Sequence, residues 1–210
     1  MILFDLDGTL IDSTEAILES FGVAFEKCGF EKKSDDEIKK LIGFPLDKMF
    51  NNMGIPTDRV DELVSAYKEH YRKISTAKTF LLPNAKEAVI EASKIAKLGI
   101  VTTKTSRYSE ILMENFGLMS YFDVLIGRED VVNPKPDPEP ILKAMKFLNS
   151  KKGFMIGDTC LDIVSADRAG IIGIAVLSGY KSFEELKECR KFIEKDALSA
   201  VEFIKNSNNL

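Results

Sequence analysis

Two aspartates one residue apart, Asp5 and Asp7, follow the apolar run Ile2 to Phe4 in "ILFDLDGTL" and lead into Gly8 and Thr9. A hydrophobic strand has no use for either charge in its interior. Period-two geometry puts the two carboxylates on the same side, and Gly8 lets the chain turn away behind them. Later apolar runs end in the same manner. Thr102, Thr103 and Lys104 follow "LGIV", Lys135 stands in "NPKPDP" after "FDVLIG", and Asp158 and Asp162 follow "GFMIG". Two carboxylates about 4 Å apart repel by about 4 kcal/mol at the effective dielectric usual near protein surfaces. A site holding Asp5, Asp7 and Asp158 therefore needs a cation. Hard oxygen donors without His or Cys beside them favour Mg²⁺ over zinc or copper. Carboxylates plus substrate phosphate oxygens are a usual cradle for Mg²⁺, which offsets repulsion between an aspartate nucleophile and an anionic phosphoryl group. Lys135 would add a second positive charge, and a threonine hydroxyl with backbone amides would donate to phosphate oxygens.

Singly, each residue has a bland explanation: Asp7-Gly8 a turn, Asp158 a helix N-cap, Lys135 a solvated loop lysine. Jointly they would have to fall by coincidence on one edge of one sheet. In an open parallel α/β sheet that edge, at the carboxyl ends of the strands, is where ligands bind.

The elements that must position these residues are legible in the apolar spacing. Residues 12–29 carry a helical stripe, with Asp12 and Glu15 as a start signal and Gly29 as a stop. "SDDEIKKLIG" repeats the pattern with Ser34 and Glu37 as a capping box, and "FPLDKMFNNMG" and "TDRVDELVSAYKEHYRKI" read as two more helices. From Leu82 onward short apolar runs alternate with amphipathic helices, the grammar of a parallel sheet with helices on both faces. The strand at residues 2–4 has no neighbour before residue 98, so it must join this later sheet. The expected fold is therefore α/β: a Rossmann-like core of residues 1–12 and 79–210, with an all-helical, four-helix-bundle-like cap at 13–78. "RKFIE" is a short segment near the end, and "NSNNL" reads as a frayed tail.

The 210 residues carry 29 Lys and Arg against 33 Asp and Glu, with no sustained basic run, so neither nucleic acid nor an anionic membrane is expected as a partner. No apolar stretch approaches the roughly 20 residues that span a bilayer, and "MILFDLDG" meets acid too early for a signal peptide. Cys28, Cys160 and Cys189 are few, odd in number and scattered, which reads as reduced thiols in a cytoplasmic protein. The lone His70 cannot build a zinc site. A monomer or homodimer is expected.

"DLDGT", the threonine after the second core strand, the lysine of "KPDP" and "GDTCLD" resemble, in order, the four motifs of the haloacid dehalogenase-like hydrolases. The chain is most similar to the phosphoglycolate phosphatase-like and β-phosphoglucomutase-like branch. That resemblance implies roles. Asp5 is the nucleophile that becomes an aspartyl phosphate, and Asp7 the acid and base for leaving alcohol and water. Asp5, the Asp7 carbonyl and Asp158 hold Mg²⁺, with Asp162 in the second shell or reaching the metal through water. Thr102 and Lys135 bind the phosphoryl group, and Lys135 steadies Asp5. Alternation alone leaves Thr102 and Thr103 open as the phosphate-binding hydroxyl; the resemblance favours Thr102, with Gly8, Thr103 and Lys104 as further substrate-side positions. An acid at Asp7 disfavours dehalogenation, whose leaving group needs no proton.

The helical insertion resembles the family's cap, and "IGFPLDKM" matches its specificity loop, which makes Phe44 and Leu46 candidate substrate contacts. Leu46 stands where the mutase branch has an arginine for a second phosphate, and Ile17 replaces its cap histidine. Both departures point to a hydrolase. The expected reaction is Mg²⁺-dependent hydrolysis of a small phosphorylated metabolite, 2-phosphoglycolate first. The same chemistry on a sugar phosphate, a nucleoside monophosphate or pyrophosphate is the alternative. A phospho-acceptor receiver domain is the distant one, disfavoured because the acceptor lies on the first strand beside Asp7.

Overall fold

In the computed structural model, which describes residues 1–189 and 192–207, β1 (Ile2–Phe4) opens the chain and β2 (Ile11–Asp12) follows the paired aspartates. Four helices come next: α1 (Thr14–Cys28), α2 (Asp35–Lys39), α3 (Leu46–Asn52) and α4 (Val60–Ile74). The chain returns through β3 (Phe80–Leu81), which pairs with β2 in a two-stranded ribbon. Helices and strands then alternate: α5 (Ala85–Ser93), β4 (Leu98–Val101), α6 (Ser106–Asn115), β5 (Val124–Ile126), α7 (Glu139–Leu148) and β6 (Phe154–Gly157). The run finishes with α8 (Cys160–Arg168), β7 (Ile172–Val176), α9 (Phe183–Leu186), β8 (Ile193–Glu194) and α10 (Ala197–Asn206). Arg190 and Lys191 of "RKFIE" and the last three residues of the "NSNNL" tail lie outside the described residues.

By contacts the chain forms two compact units, Met1–Asp12 with Leu81–Leu210, and Ser13–Phe80. The larger unit is built on a six-stranded sheet in the order β5-β4-β1-β6-β7-β8, with parallel pairing throughout. The first strand thus lies inside the sheet, flanked by β4 and β6, because its apolar residues need cover on both faces. Alternation sorts those faces. Ile2 and Phe4 join Ile100 and Ile156 against α5, α6 and α10, while Leu3 joins Val101 and Met155 against α7 and α8. The chain steps outward from β1 to β4 and β5, then crosses back to β6. That reversal opens a crevice at the carboxyl ends of β4, β1 and β6, where such folds bind ligands.

In the smaller unit α1, α3 and α4 meet in an aromatic cluster, with the Phe21 ring centroid 4.8 Å from that of Phe50 and 5.0 Å from that of Tyr67. Ser34 and Glu37 make the expected capping box, the Ser34 N–H donating to Glu37 Oε2 at 3.0 Å. Gly29 ends α1 in the left-handed region at φ 73°.

Three local readings change. α2 stops at Lys39, short of the Gly43 that closes "SDDEIKKLIG", because the apolar stripe runs on past the last helical turn. "RKFIE" contains β8, a two-residue edge strand too short for alternation to register. The scattered cysteines are not all reduced: Cys160 and Cys189 form a disulfide with Cα atoms 5.7 Å apart, and Cys28 is free. Separation along the chain hid this pair, since α9 folds back beside the start of α8 only once β7 is in place. Closing a loop of 29 residues stabilises by roughly 3.6 kcal/mol. Cys189→Ser is therefore expected to lower unfolding stability by about that amount, read as a reduced urea midpoint with an unchanged or larger m-value.

Candidate active site

Asp5 leaves the end of β1 with its backbone N–H on Ile156 O at 2.9 Å, so the last rung of the sheet fixes where its side chain starts. Its carboxylate is buried, with Lys135 Nζ 3.0 Å from Oδ1. Lys135 comes from the loop after β5 and is 3% exposed, which removes the bland reading of a solvated loop lysine. Its ammonium also donates to Val101 O at 2.9 Å and to Asp162 Oδ1 at 2.5 Å. Two contacts brace that loop from α8: Ser165 Oγ donates to Asp137 O at 2.7 Å, and Arg168 donates to Pro136 O at 3.0 Å.

Asp158 follows β6, but the helix N-cap is Thr159, which leaves the Asp158 carboxylate for another task. Asp162, one turn into α8, reaches back so that Oδ2 accepts from Thr159 N–H at 3.1 Å and Thr159 Oγ1 at 2.7 Å. Both Asp162 oxygens are therefore engaged, one by Lys135 and one by Thr159. Asp158 differs. Oδ2 accepts from Tyr180 N–H at 3.0 Å, while Oδ1 is buried without a hydrogen-bond partner.

Asp5, Asp158 and Asp162 each place a carboxylate oxygen within 4.8 Å of the others. Three buried carboxylates face one ammonium, and the imbalance appears in their proton affinities. Burial, with Asp162 and Asp7 adding to it against the pull of Lys135, raises Asp5 to about 6. Burial and then the charges of Asp162 and Asp5 push Asp158 well above the usual carboxylate range. Burial alone would lower Lys135, but Asp162 and Asp5 outweigh it and push the ammonium up. The lysine stays charged, and negative charge remains for a second cation. All-oxygen donors and the partnerless Asp158 Oδ1 fit a hard divalent ion such as Mg²⁺.

Asp7 sits beyond this cluster in the Gly8 turn (φ 81°), its Oδ2 3.0 Å from Lys104 Nζ. Thr102 follows β4, buried, with Oγ1 accepting from Lys104 N–H at 3.2 Å. Thr103 lies between them. Eight of the expected residues (Asp5, Asp7, Gly8, Thr102, Lys104, Lys135, Asp158, Asp162) thus share direct contacts at one sheet edge. Phe44 and Leu46 belong to the helical unit. Phe44 lies 36% exposed in the turn before α3, and Leu46 is the first residue of α3. Sequence reasoning passed over Ser178, Gly179 and Tyr180, which follow β7 and touch Asp158 and Gly8. The rule that found the others, polar residues after an apolar run, applies to "LSGY" too, but no charge there drew notice.

Comparison with known proteins places the chain in a family. The family model of haloacid dehalogenase-like hydrolases matches residues 2–176. Pyrophosphatase PpaX of Halalkalibacterium halodurans is 38% identical over 177 residues, covering 81% of this chain and 80% of that protein. Phosphoglycolate phosphatase of Aquifex aeolicus is 32% identical, covering 86% and 85%. A haloacid dehalogenase-like family hydrolase from Streptococcus pneumoniae superposes with a TM-score of 0.86 at 26% identity, over 97% of both chains. The chain belongs to the haloacid dehalogenase-like hydrolases, and within them it is a phosphatase.

Proposed function

We propose that the protein is a Mg²⁺-dependent phosphatase of a small phosphorylated metabolite, acting through an aspartyl phosphate on Asp5. One observation carries this reading: three buried carboxylates around a buried lysine, with Asp158 Oδ1 lacking a hydrogen-bond partner among the described residues. Asp5, the Asp7 carbonyl oxygen and Asp158 would hold the ion, with Asp162 supporting from behind through Lys135 and Thr159. When bound, Mg²⁺ would draw off negative charge between the Asp5 carboxylate and the phosphoryl group.

The steps belong to the side chains. Asp5 attacks phosphorus while the bond to the leaving oxygen breaks, and Asp7 gives that oxygen its proton. Asp7, now a carboxylate, takes a proton from water, which attacks the aspartyl phosphate and releases orthophosphate and free Asp5. Lys135 and Thr102 hold the phosphoryl oxygens as their charge shifts, and Lys104 keeps the Asp7 carboxyl oriented. We assign substrate choice to the helical unit acting as a cap, with Phe44 and Leu46 as its contacts.

Two substrates stand first. 2-Phosphoglycolate follows from the sequence motifs and is the substrate named for the Aquifex aeolicus relative, while pyrophosphate is named for the more similar PpaX relative. A panel of phosphorylated metabolites ranked by kcat/KM decides between them, with EDTA expected to abolish turnover and Mg²⁺ to restore it. If neither compound outranks p-nitrophenyl phosphate, both named substrates fall and the reaction class stands; full activity in EDTA removes the metal. We place this work in the cytoplasm, where the Cys160–Cys189 bridge would meet a reducing environment in which protein disulfides are short-lived.

A further inference from the structure

Ser178, Gly179 and Tyr180 carry no charge, yet they close over the Asp158 carboxylate, whose Oδ1 is buried without a hydrogen-bond partner among the described residues. Tyr180 N–H donates to Asp158 Oδ2 at 3.0 Å. Ser178 Oγ donates to Gly8 O at 2.9 Å, tying the loop after β7 to the turn after β1 across 170 residues of chain. Gly179 and Gly8 press on the same carboxylate. A Cβ on Gly179 would stand 2.0 Å from Asp158 Oδ2, and one on Gly8 would stand 2.3 Å from that oxygen and 3.0 Å from Gly179 Cα. No side chain fits at either place. The carboxylate is thus confined between two glycine backbones, one oxygen held by an amide and the other buried without a partner.

An aspartate has two rotatable bonds, and left alone it would swing or exchange its two oxygens. A hydrogen bond to Oδ2 and a close backbone on each side remove that freedom and leave Oδ1 as the oxygen not engaged by a hydrogen bond. We propose that Ser178–Tyr180 is a positioning element for the metal site, with Ser178 setting the distance between the Asp7-Gly8 turn and Asp158, and Gly179 supplying the close approach. The inference rests on the Mg²⁺ reading of the site. It adds residues that act through Asp158 and Gly8 and touch neither substrate nor ion.

The test is a Mg²⁺ titration of the metal-free protein without substrate, followed by thermal shift, because an ion that binds only the folded state raises its melting temperature. Ser178→Ala is expected to raise the half-saturating Mg²⁺ roughly tenfold and Gly179→Ala roughly a hundredfold, the range usual for outer-shell partners of metal ligands. Ser178→Thr, which keeps the hydroxyl, should stay near wild type. Hydrogen exchange at the Tyr180 amide should quicken in Ser178→Ala even before Mg²⁺ is added. At saturating Mg²⁺ the kcat of Ser178→Ala should recover, which separates positioning from chemistry. A lower melting temperature in both alanine variants with an unchanged half-saturation, while Asp158→Asn abolishes the response, overturns the positioning role and leaves the metal reading intact. A wild-type protein that shows no response to Mg²⁺ overturns both.

Discussion

Replacing Asp5 with asparagine is expected to lower turnover of p-nitrophenyl phosphate by roughly 10⁴-fold or more, the scale seen when a covalent nucleophile is removed. The amide has nearly the same shape, so it can keep the contact with Lys135, but it cannot accept a phosphoryl group. Loss of stability is not expected to accompany the loss of activity. Asp5 is raised to about 6 by burial, so the folded protein binds more protons at this site than the unfolded chain between about pH 4 and 6. A group raised in this way makes stability fall as pH rises through that window. The asparagine variant lacks the titration, and in EDTA at pH 7.5 it should melt at or above the temperature of the wild type. Wild-type turnover in the variant would remove Asp5 as nucleophile. A lower melting temperature at pH 7.5 would mean that the ion pair with Lys135 outweighs the burial of the charge.

The proposed site costs the fold stability. The cluster Asp5, Asp158 and Asp162 holds negative charge that a purely structural core would have replaced with apolar groups, and a single lysine does not balance it. The backbone around it is correspondingly fixed. β1 and β6 are hydrogen-bonded neighbours, and the two glycine-flanked turns hold Asp158 from either side. A rigid sheet supplies positions to a fraction of an ångström, which loops alone would not.

Much of this is legible in the sequence alone. The break in hydrophobic grammar near Leu82 and the isolated apolar run at residues 2–4 together required β1 to sit among later strands, and it pairs with β4 and β6. Asp5, Lys135, Asp158 and Asp162 were legible because charge beside an apolar run has no packing explanation. Three things were not. The disulfide depends on where α9 folds back, and no spacing rule reports that. Ser178 and Tyr180 act through a hydroxyl and a backbone amide, and "LSGY" looks like any polar turn. Gly179 matters through the Cβ it lacks, which shows only once Asp158 is placed beside it. Chemistry written in charge can be read from a sequence; chemistry written in close approach cannot.

Lys135→Met should be the most destabilising single change at this edge, and its size should depend on pH and on metal. Methionine matches the length and apolar stem of lysine, so the substitution opens no large cavity. What it removes is the ammonium that meets Asp5, Asp162 and Val101 O. Breaking a buried ion pair by deleting one partner typically costs about 3–5 kcal/mol, because the remaining charges stay buried without compensation. Here those charges are carboxylates that acid can neutralise. In EDTA the deficit relative to wild type should therefore be largest at pH 7.5 and shrink towards pH 5, where Asp5 and Asp158 bind protons more readily still without the lysine. Added Mg²⁺ at pH 7.5 should recover part of the loss, since a divalent ion offsets the same repulsion from the other side. Arginine is not expected to rescue, because its planar fork does not fit the compact meeting point of two carboxylates and a carbonyl. Urea unfolding at both pH values, with and without Mg²⁺, measures all of this. A deficit independent of pH and metal would show that the lysine contributes packing rather than charge.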